Sequence, residues 1–137
     1  MNLRYFFFLA AVSAPISVAS PLQAQHMNAA DAPCKAAGTG VDQSNCLNVA
    51  AKKADADLNR AYRRIIGVLT TSDRQKLKSA ERTWLIYRDQ TCAAERDLYE
   101  GGTGGLAAHP ACMEAVTRHR ISDLKTAYWW KVEKFGG

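Results

Sequence analysis

Four cysteines downstream of an apolar N-terminal run constrain this chain more than any other feature. Met1 to Arg4 is short and basic, Tyr5 to Ala19 is almost wholly apolar, and Leu22-Gln23-Ala24 brings a small residue to a cleavage position. That order is a secretory signal peptide, assigned to residues 1–24. Ser13, Pro15 and Ser17 interrupt the run, and a membrane span needs about 20 apolar residues. An uncleaved anchor is therefore the lesser reading, and the processed product is not expected to be an integral membrane protein. The first cysteine is Cys34, well past the apolar run, so a lipid-anchored terminus is not supported. An exported chain meets an oxidising compartment, periplasmic or secreted. Cys34, Cys46, Cys92 and Cys112 are thus expected to form two disulfides, with three pairings open. There is no Cys-x-x-Cys, and His26, His109 and His119 do not stand at ligand spacing with the cysteines. Neither a metal site nor a cofactor is expected.

The full chain carries 18 basic and 13 acidic residues, a net charge of +5. The signal segment holds one of the basic residues, Arg4, and no acid, so the processed product stays moderately basic. Such a surface could attract an anionic wall polymer such as peptidoglycan, or a membrane surface. Its basic residues are interleaved with acids along helices, which fits a solvated surface better than a nucleic-acid footprint.

Hydrophobic spacing gives the architecture. Residues 25–43 read as an irregular leader rich in Ala, Gly, Asp and Gln and pinned by Cys34. Residues 44–132 read as the helical domain and 133–137 as a flexible tail. Leu47, Ala50, Ala54, Leu58, Ala61, Ile65 and Leu69 recur at three and four residues and predict a first helix from about Ser44. Ser72 and Gln75 read as a capping box opening a second helix, whose period is marked by Leu77, Ala80, Trp84, Leu85, Arg88, Cys92, Glu95 and Tyr99. Gly101-Gly102-Thr103-Gly104-Gly105 predicts a break, and Pro110 suits the first turn of a third helix. That helix is expected to carry Cys112, Ala115, Val116, His119, Arg120, Leu124, Ala127 and Tyr128 inward. It is expected to fray near Trp129-Trp130-Lys131, with the terminal aromatics closing the end of the bundle. The fold class is all-α, a small antiparallel three-helix bundle.

Short connections make sequential helices antiparallel neighbours. Folding back about the glycine break sets residue 92 beside residue 112, so Cys92–Cys112 is the natural bridge and Cys34–Cys46 the other. Each is expected to stabilise the fold by about 3 kcal/mol. The same arithmetic sets Arg88 near Val116, Trp84 near Arg120, Tyr62 near Glu81 and Asn59 near Trp84. Asn59, Trp84, Arg88, Thr117 and Arg120 therefore form a candidate polar cluster. It could grip a carboxylate or a sugar substituent. The favoured reading is structural, with Arg120 stacked on Trp84 and Arg88 paired with Asp55 or Glu81.

Catalytic patterns are missing from the sequence, and the chain reads as a non-enzyme. No serine stands in a nucleophile elbow. The glycine run lacks the strand and lysine of a phosphate loop. Asp55/Asp57 and Glu95/Asp97 are spaced by two on helices, so the members of each pair face apart. His119 reads as a packed histidine.

Three segments carry a resemblance. Asp55-Ala-Asp57-Leu58-Asn59-Arg60-Ala61-Tyr62, then Trp84-Leu-Ile-Tyr-Arg88-Asp89 with Cys92, then Cys112 with Thr117, Arg120 and Leu124, resemble in order the motifs of the LprI-like lysozyme inhibitor family. The resemblance runs from about Cys34 to Tyr128. It implies a non-catalytic exported binding protein whose partner is a lysozyme-type muramidase. Animal-type lysozymes are strongly basic, and like charges slow encounter. An inhibitor on this scaffold would need a locally acidic patch. Glu95, Asp97 and Glu100, with Thr103 and His109 around the glycine turn, are the candidate partner contacts. The alternative function is binding of anionic wall polymer or membrane surface through the basic helices.

Overall fold

The computed structural model describes residues 25–137, so the segment read as a signal peptide lies outside it. A short 3-10 turn, His26–Asn28, precedes three helices: α1 (Gly40–Val68), α2 (Thr71–Asp97) and α3 (Gly104–Phe135). No strand occurs among the described residues. The first helix packs closely along the third, the second also packs on the third, and the first two share few backbone approaches although their side chains meet in one core. α3 is therefore the central element, and its buried residues outnumber those of either neighbour. Cys92 meets Cys112 and Glu81 meets Arg120, so α2 and α3 run in opposite directions, whereas Ser44 meets Leu106 and Arg64 meets Trp129, so α1 and α3 run side by side in the same direction. Ala54, Ala61, Ala107, Ala111 and Ala115 are buried on these two helices and let their backbones come close. Leu58, Ile65, Leu69, Leu77, Leu124 and Val132 form the main core, with Tyr62, Trp84, Tyr128 and Trp129 packed around it.

The helix limits differ from those expected, each for a local reason. α1 begins four residues early, at Gly40, because Thr39 and Asp42 form a capping box. The Asp42 N–H donates to Thr39 Oγ1 at 3.3 Å, and the Thr39 N–H donates to Asp42 Oδ2 at 3.0 Å. α2 is capped by Thr70 instead of Ser72, its hydroxyl accepting from the Asp73 N–H at 3.2 Å. Leu69 is already buried in the core, so the chain must reverse at once and the first available hydroxyl takes the cap.

The largest departure is α3. It starts at Gly104, so the glycine run is only half a break and Pro110 lies inside the helix. Proline has no N–H to give to the carbonyl four residues back. That carbonyl belongs to Leu106, and it accepts instead from Ser44 Oγ of α1 at 2.8 Å. The lost rung thereby becomes a cross-link between the parallel helices. Gly104 is required at the start, because a Cβ there would meet the Tyr99 ring at 2.3 Å. At the other end α3 continues to Phe135, through residues expected to fray. Tyr128 and Trp129 pack on the core as expected, but Trp130 and Phe135 are exposed. His119 and Ala127 on α3, and Ala80 and Leu85 on α2, are also exposed and not packed inward, because at those positions each helix turns only one narrow stripe to its neighbours.

Both disulfides close as geometry suggested. Cys92–Cys112 is fully buried between α2 and α3, and Cys34–Cys46 joins the leader to α1. The leader is held at further points. The His26 N–H donates to Glu95 Oε1 at 3.1 Å, and Arg118 Nη1 donates to Asp31 Oδ2 at 2.8 Å. Met27 and Cys34 cover a second small core of Leu47, Ala107 and Ala111.

Two outcomes follow from this arrangement. Cys46 is exposed and Cys34 half-buried, whereas Cys92 and Cys112 have no exposed surface. Limiting reductant should open Cys34–Cys46 first and leave Cys92–Cys112 intact until the protein unfolds, as read by alkylation and peptide mapping. Asp31, Asp42 and Asp57 are all held below the usual carboxylate range, chiefly by hydrogen bonds from Arg118, the Thr39 backbone and Lys53 respectively. Folding favours their charged forms, so this stabilisation is full above the ordinary aspartate pKa and disappears as acid protonates them. Thermal midpoints should be level from neutral to about pH 5 and fall below about pH 4. Asp31→Asn should blunt that fall.

Candidate functional site

Arg88 lies mid-way along α2, its side chain 9% exposed. Its Nη1 donates to Asp55 Oδ1 on α1 at 2.7 Å and to Thr117 Oγ1 on α3 at 3.3 Å, while its Nε donates to Asp89 Oδ1 at 3.0 Å. One guanidinium thus bonds to all three helices. Thr117 is almost completely buried and has no water to fall back on. The Arg88 Cζ lies 5.3 Å from the centre of the Trp84 ring and that of Arg120 5.7 Å from it, both in cation–π range. Arg120 in turn donates from Nε and Nη2 to Glu81 Oε2, at 3.1 and 2.8 Å.

Four of the five cluster residues, Trp84, Arg88, Thr117 and Arg120, therefore meet. Asn59 does not join them. It is exposed at the mouth of a cleft of about 320 Å³ between α1 and α2, lined also by Leu58, Tyr62, Lys78, Glu81, Arg82 and Leu85. Burial, and then the charge of Glu81, push the Tyr62 hydroxyl above its usual range, so it remains a neutral donor. The charged groups at the node spend their hydrogen bonds on one another, which is what a positioning network does.

The tip between α2 and α3 is the other candidate surface. Glu95 is not free there. Its side chain is 12% exposed, and both oxygens are engaged by His26 through the backbone N–H and Nδ1. Asp97 is paired with its neighbour Arg96 at 2.8 Å. The locally acidic patch expected at Glu95, Asp97 and Glu100 is therefore largely neutralised. Glu100 and Thr103 are exposed on the turn, and His109 is half-buried inside α3. Glu100 adopts a left-handed backbone with φ of 49°, followed by Gly101 at 80°. What the tip presents instead is apolar. Leu98 and Leu106 are 74% and 62% exposed, on either side of the glycine turn. Sequence reading passed over both. Leu98 falls one residue off the inward period of α2, and Leu106 stood in what looked like a loop.

His26, Glu95 and Cys112 bring ligand-type atoms within 4.8 Å of one another. The Cys112 sulfur is committed to Cys92. Two ligands remain, short of what a structural or catalytic zinc requires.

The family description "Lysozyme inhibitor LprI" matches residues 30–124. The chain belongs to the lysozyme inhibitor LprI family. The matched span contains all four cysteines and the node joining the three helices. A curated relative, "Uncharacterized protein R02472" of Rhizobium meliloti (strain 1021), is 28% identical over 105 residues, covering 67% of this chain and 76% of its own length. No solved structure matches. Asp55, Trp84, Arg88, Asp89, Thr117 and Arg120, all within the matched span, build the node, and Cys92 and Cys112 bridge α2 to α3.

The node should answer to geometry as well as to charge. Arg88→Lys keeps the charge but cannot serve Asp55, Asp89 and Thr117 together. It should cost about 2–3 kcal/mol in urea unfolding of the oxidised protein, close to the cost of Arg88→Ala. Asp55→Asn, at a half-exposed partner, should cost only about 1 kcal/mol.

Proposed function

We propose that this protein is an exported, non-catalytic inhibitor of a lysozyme-type muramidase, acting through the tip between α2 and α3. The family match over residues 30–124 carries the reading. Two disulfides fit an oxidising compartment outside the cytoplasm, periplasmic or secreted. No helix among the described residues is long and apolar enough to cross a membrane.

The geometry of the tip supports the choice of surface. Muramidases bind a polysaccharide in a cleft, and a cleft is blocked most effectively by a convex element that loses little freedom on docking. The α2–α3 turn is braced in this way, with its two leucines outward and only a small hollow of about 160 Å³ between Arg96 and Leu106. It is closed below by the buried Cys92–Cys112 bridge, braced by Tyr99 against Gly104, and crowned by Leu98 and Leu106. Because Glu95 and Asp97 are already paired, attachment rests on apolar contact and shape, with Glu100, Thr103 and His109 as polar neighbours.

The test is a turbidity assay of wall lysis by several lysozyme classes. Purified protein should slow at least one class at about micromolar concentration. Leu98→Asp and Leu106→Asp should each abolish the slowing while leaving helicity and both disulfides intact. No slowing of any class at tens of micromolar would refute the function. Inhibition that survives both substitutions would refute the tip.

A further inference from the structure

A second surface lies on the far side of the molecule, where α1 and α3 run side by side. Two contiguous hollows follow their junction. One, of about 500 Å³, is lined by Asp57, Arg60, Arg64, Arg118, Lys125 and Trp129, among others. The next, of about 260 Å³, continues from Asp57, Arg118 and Ile121 toward Lys53 and Pro33. At 1.5 Å per helical residue the trough is about 20 Å long. That suits an extended chain better than a single small anion.

Its charge is mixed but positive. Lys53, Arg60, Arg64, Arg118 and Lys125 face three carboxylates, Asp57, Glu114 and Asp31, which hold three of the cations. Lys53 and Arg60 pair with Asp57, and Arg118 pairs with Glu114 and Asp31. Arg64 and Lys125 have no carboxylate partner among the described residues. Both lie over the Trp129 ring instead, at 4.7 and 5.4 Å from its centre. A half-buried indole between two long cationic side chains fixes their positions in advance, so less freedom is lost when they meet an anion.

We infer that this trough binds an anionic polysaccharide whose charges are spaced along the chain, with Arg64 and Lys125 as the anion grip and Trp129 as their mount. Three observations select that ligand. Asp57 at mid-trough holds Lys53 and Arg60, leaving two unpaired cations, Arg64 and Lys125, which suits a sparsely charged chain better than a densely charged strand such as a polyphosphate. The surface is concave and lies between two helices, whereas a membrane is met by a flat or convex face. The disulfides place the chain where extended polymers are chiefly glycans. The site is separate from the tip and does not depend on muramidase inhibition.

The test uses the oxidised protein and isothermal titration at low and moderate salt. A hyaluronan oligosaccharide, with one carboxylate per disaccharide, is the probe. A neutral chitooligosaccharide, polyphosphate and phosphatidylglycerol vesicles are the comparisons. Hyaluronan should bind with clear salt dependence and more tightly than the neutral sugar. The double variant Arg64→Gln/Lys125→Gln should weaken it by about tenfold or more. Lys52→Gln/Arg63→Gln removes the same charge from exposed α1 positions outside the trough and should change binding by less than about twofold. Equal loss in the two double variants would overturn the site, leaving only diffuse attraction. No preference for hyaluronan over the neutral sugar would overturn the ligand class. Tighter binding of polyphosphate or vesicles at the same ionic strength would overturn it as well.

Discussion

A single guanidinium at Arg88 is what makes three helices one structure. The core around Leu58, Ile65 and Leu124 supplies most of the burial, but apolar contact has no direction and would tolerate a slipped register. Arg88 offers donors in a rigid fork, and the fork is satisfied only when Asp55, Asp89 and Thr117 occupy their places around it. α1 and α2 share few backbone approaches, so this ion pair is a principal tie between them. The Cys92–Cys112 bridge one turn further along α2 fixes the same alignment covalently. Alignment thus comes from polar and covalent contacts, and cohesion from the apolar ones.

Much of this was legible in the residues alone. The apolar periods of α1 and α2, the paired cysteines, and the meeting of Trp84, Arg88, Thr117 and Arg120 all follow from spacing and from antiparallel folding about two short turns. What was not legible shares a physical cause. Helix limits are chosen by whichever hydroxyl or carboxylate reaches the first free N–H, and Thr39 and Thr70 reach it only because the buried residues nearby dictate where the chain turns. Pro110 and the second pair of glycines set the start of α3 too late on local grounds. A hydroxyl from Ser44, remote in sequence, serves the carbonyl that Pro110 leaves open. Glu95 looked like a surface acid until the leader brought His26 to it across 69 residues. Local rules failed where a distant segment supplied the missing partner.

The leader also changes what the charged residues are free to do. Asp31 holds Arg118, His26 holds Glu95, and Met27 covers the small core under Ala107 and Ala111. What remains unengaged is sorted by location. The apolar leucines stand at one end on a braced turn. Unpaired cations and an indole stand along the trough between the parallel helices. A small scaffold can present two chemically different faces in this way because its internal charges are consumed by its own architecture.

The central position of α3 has a consequence for substitution. The first half of α3, from Gly105 to Thr117, is buried at most positions, and a change of volume there disturbs more than one interface at once. The outward sides of α1 and α2 bear no such load. Substitutions on the exterior, the second half of α3 included, therefore change the surface offered to a partner at far less structural cost than substitutions in that buried half.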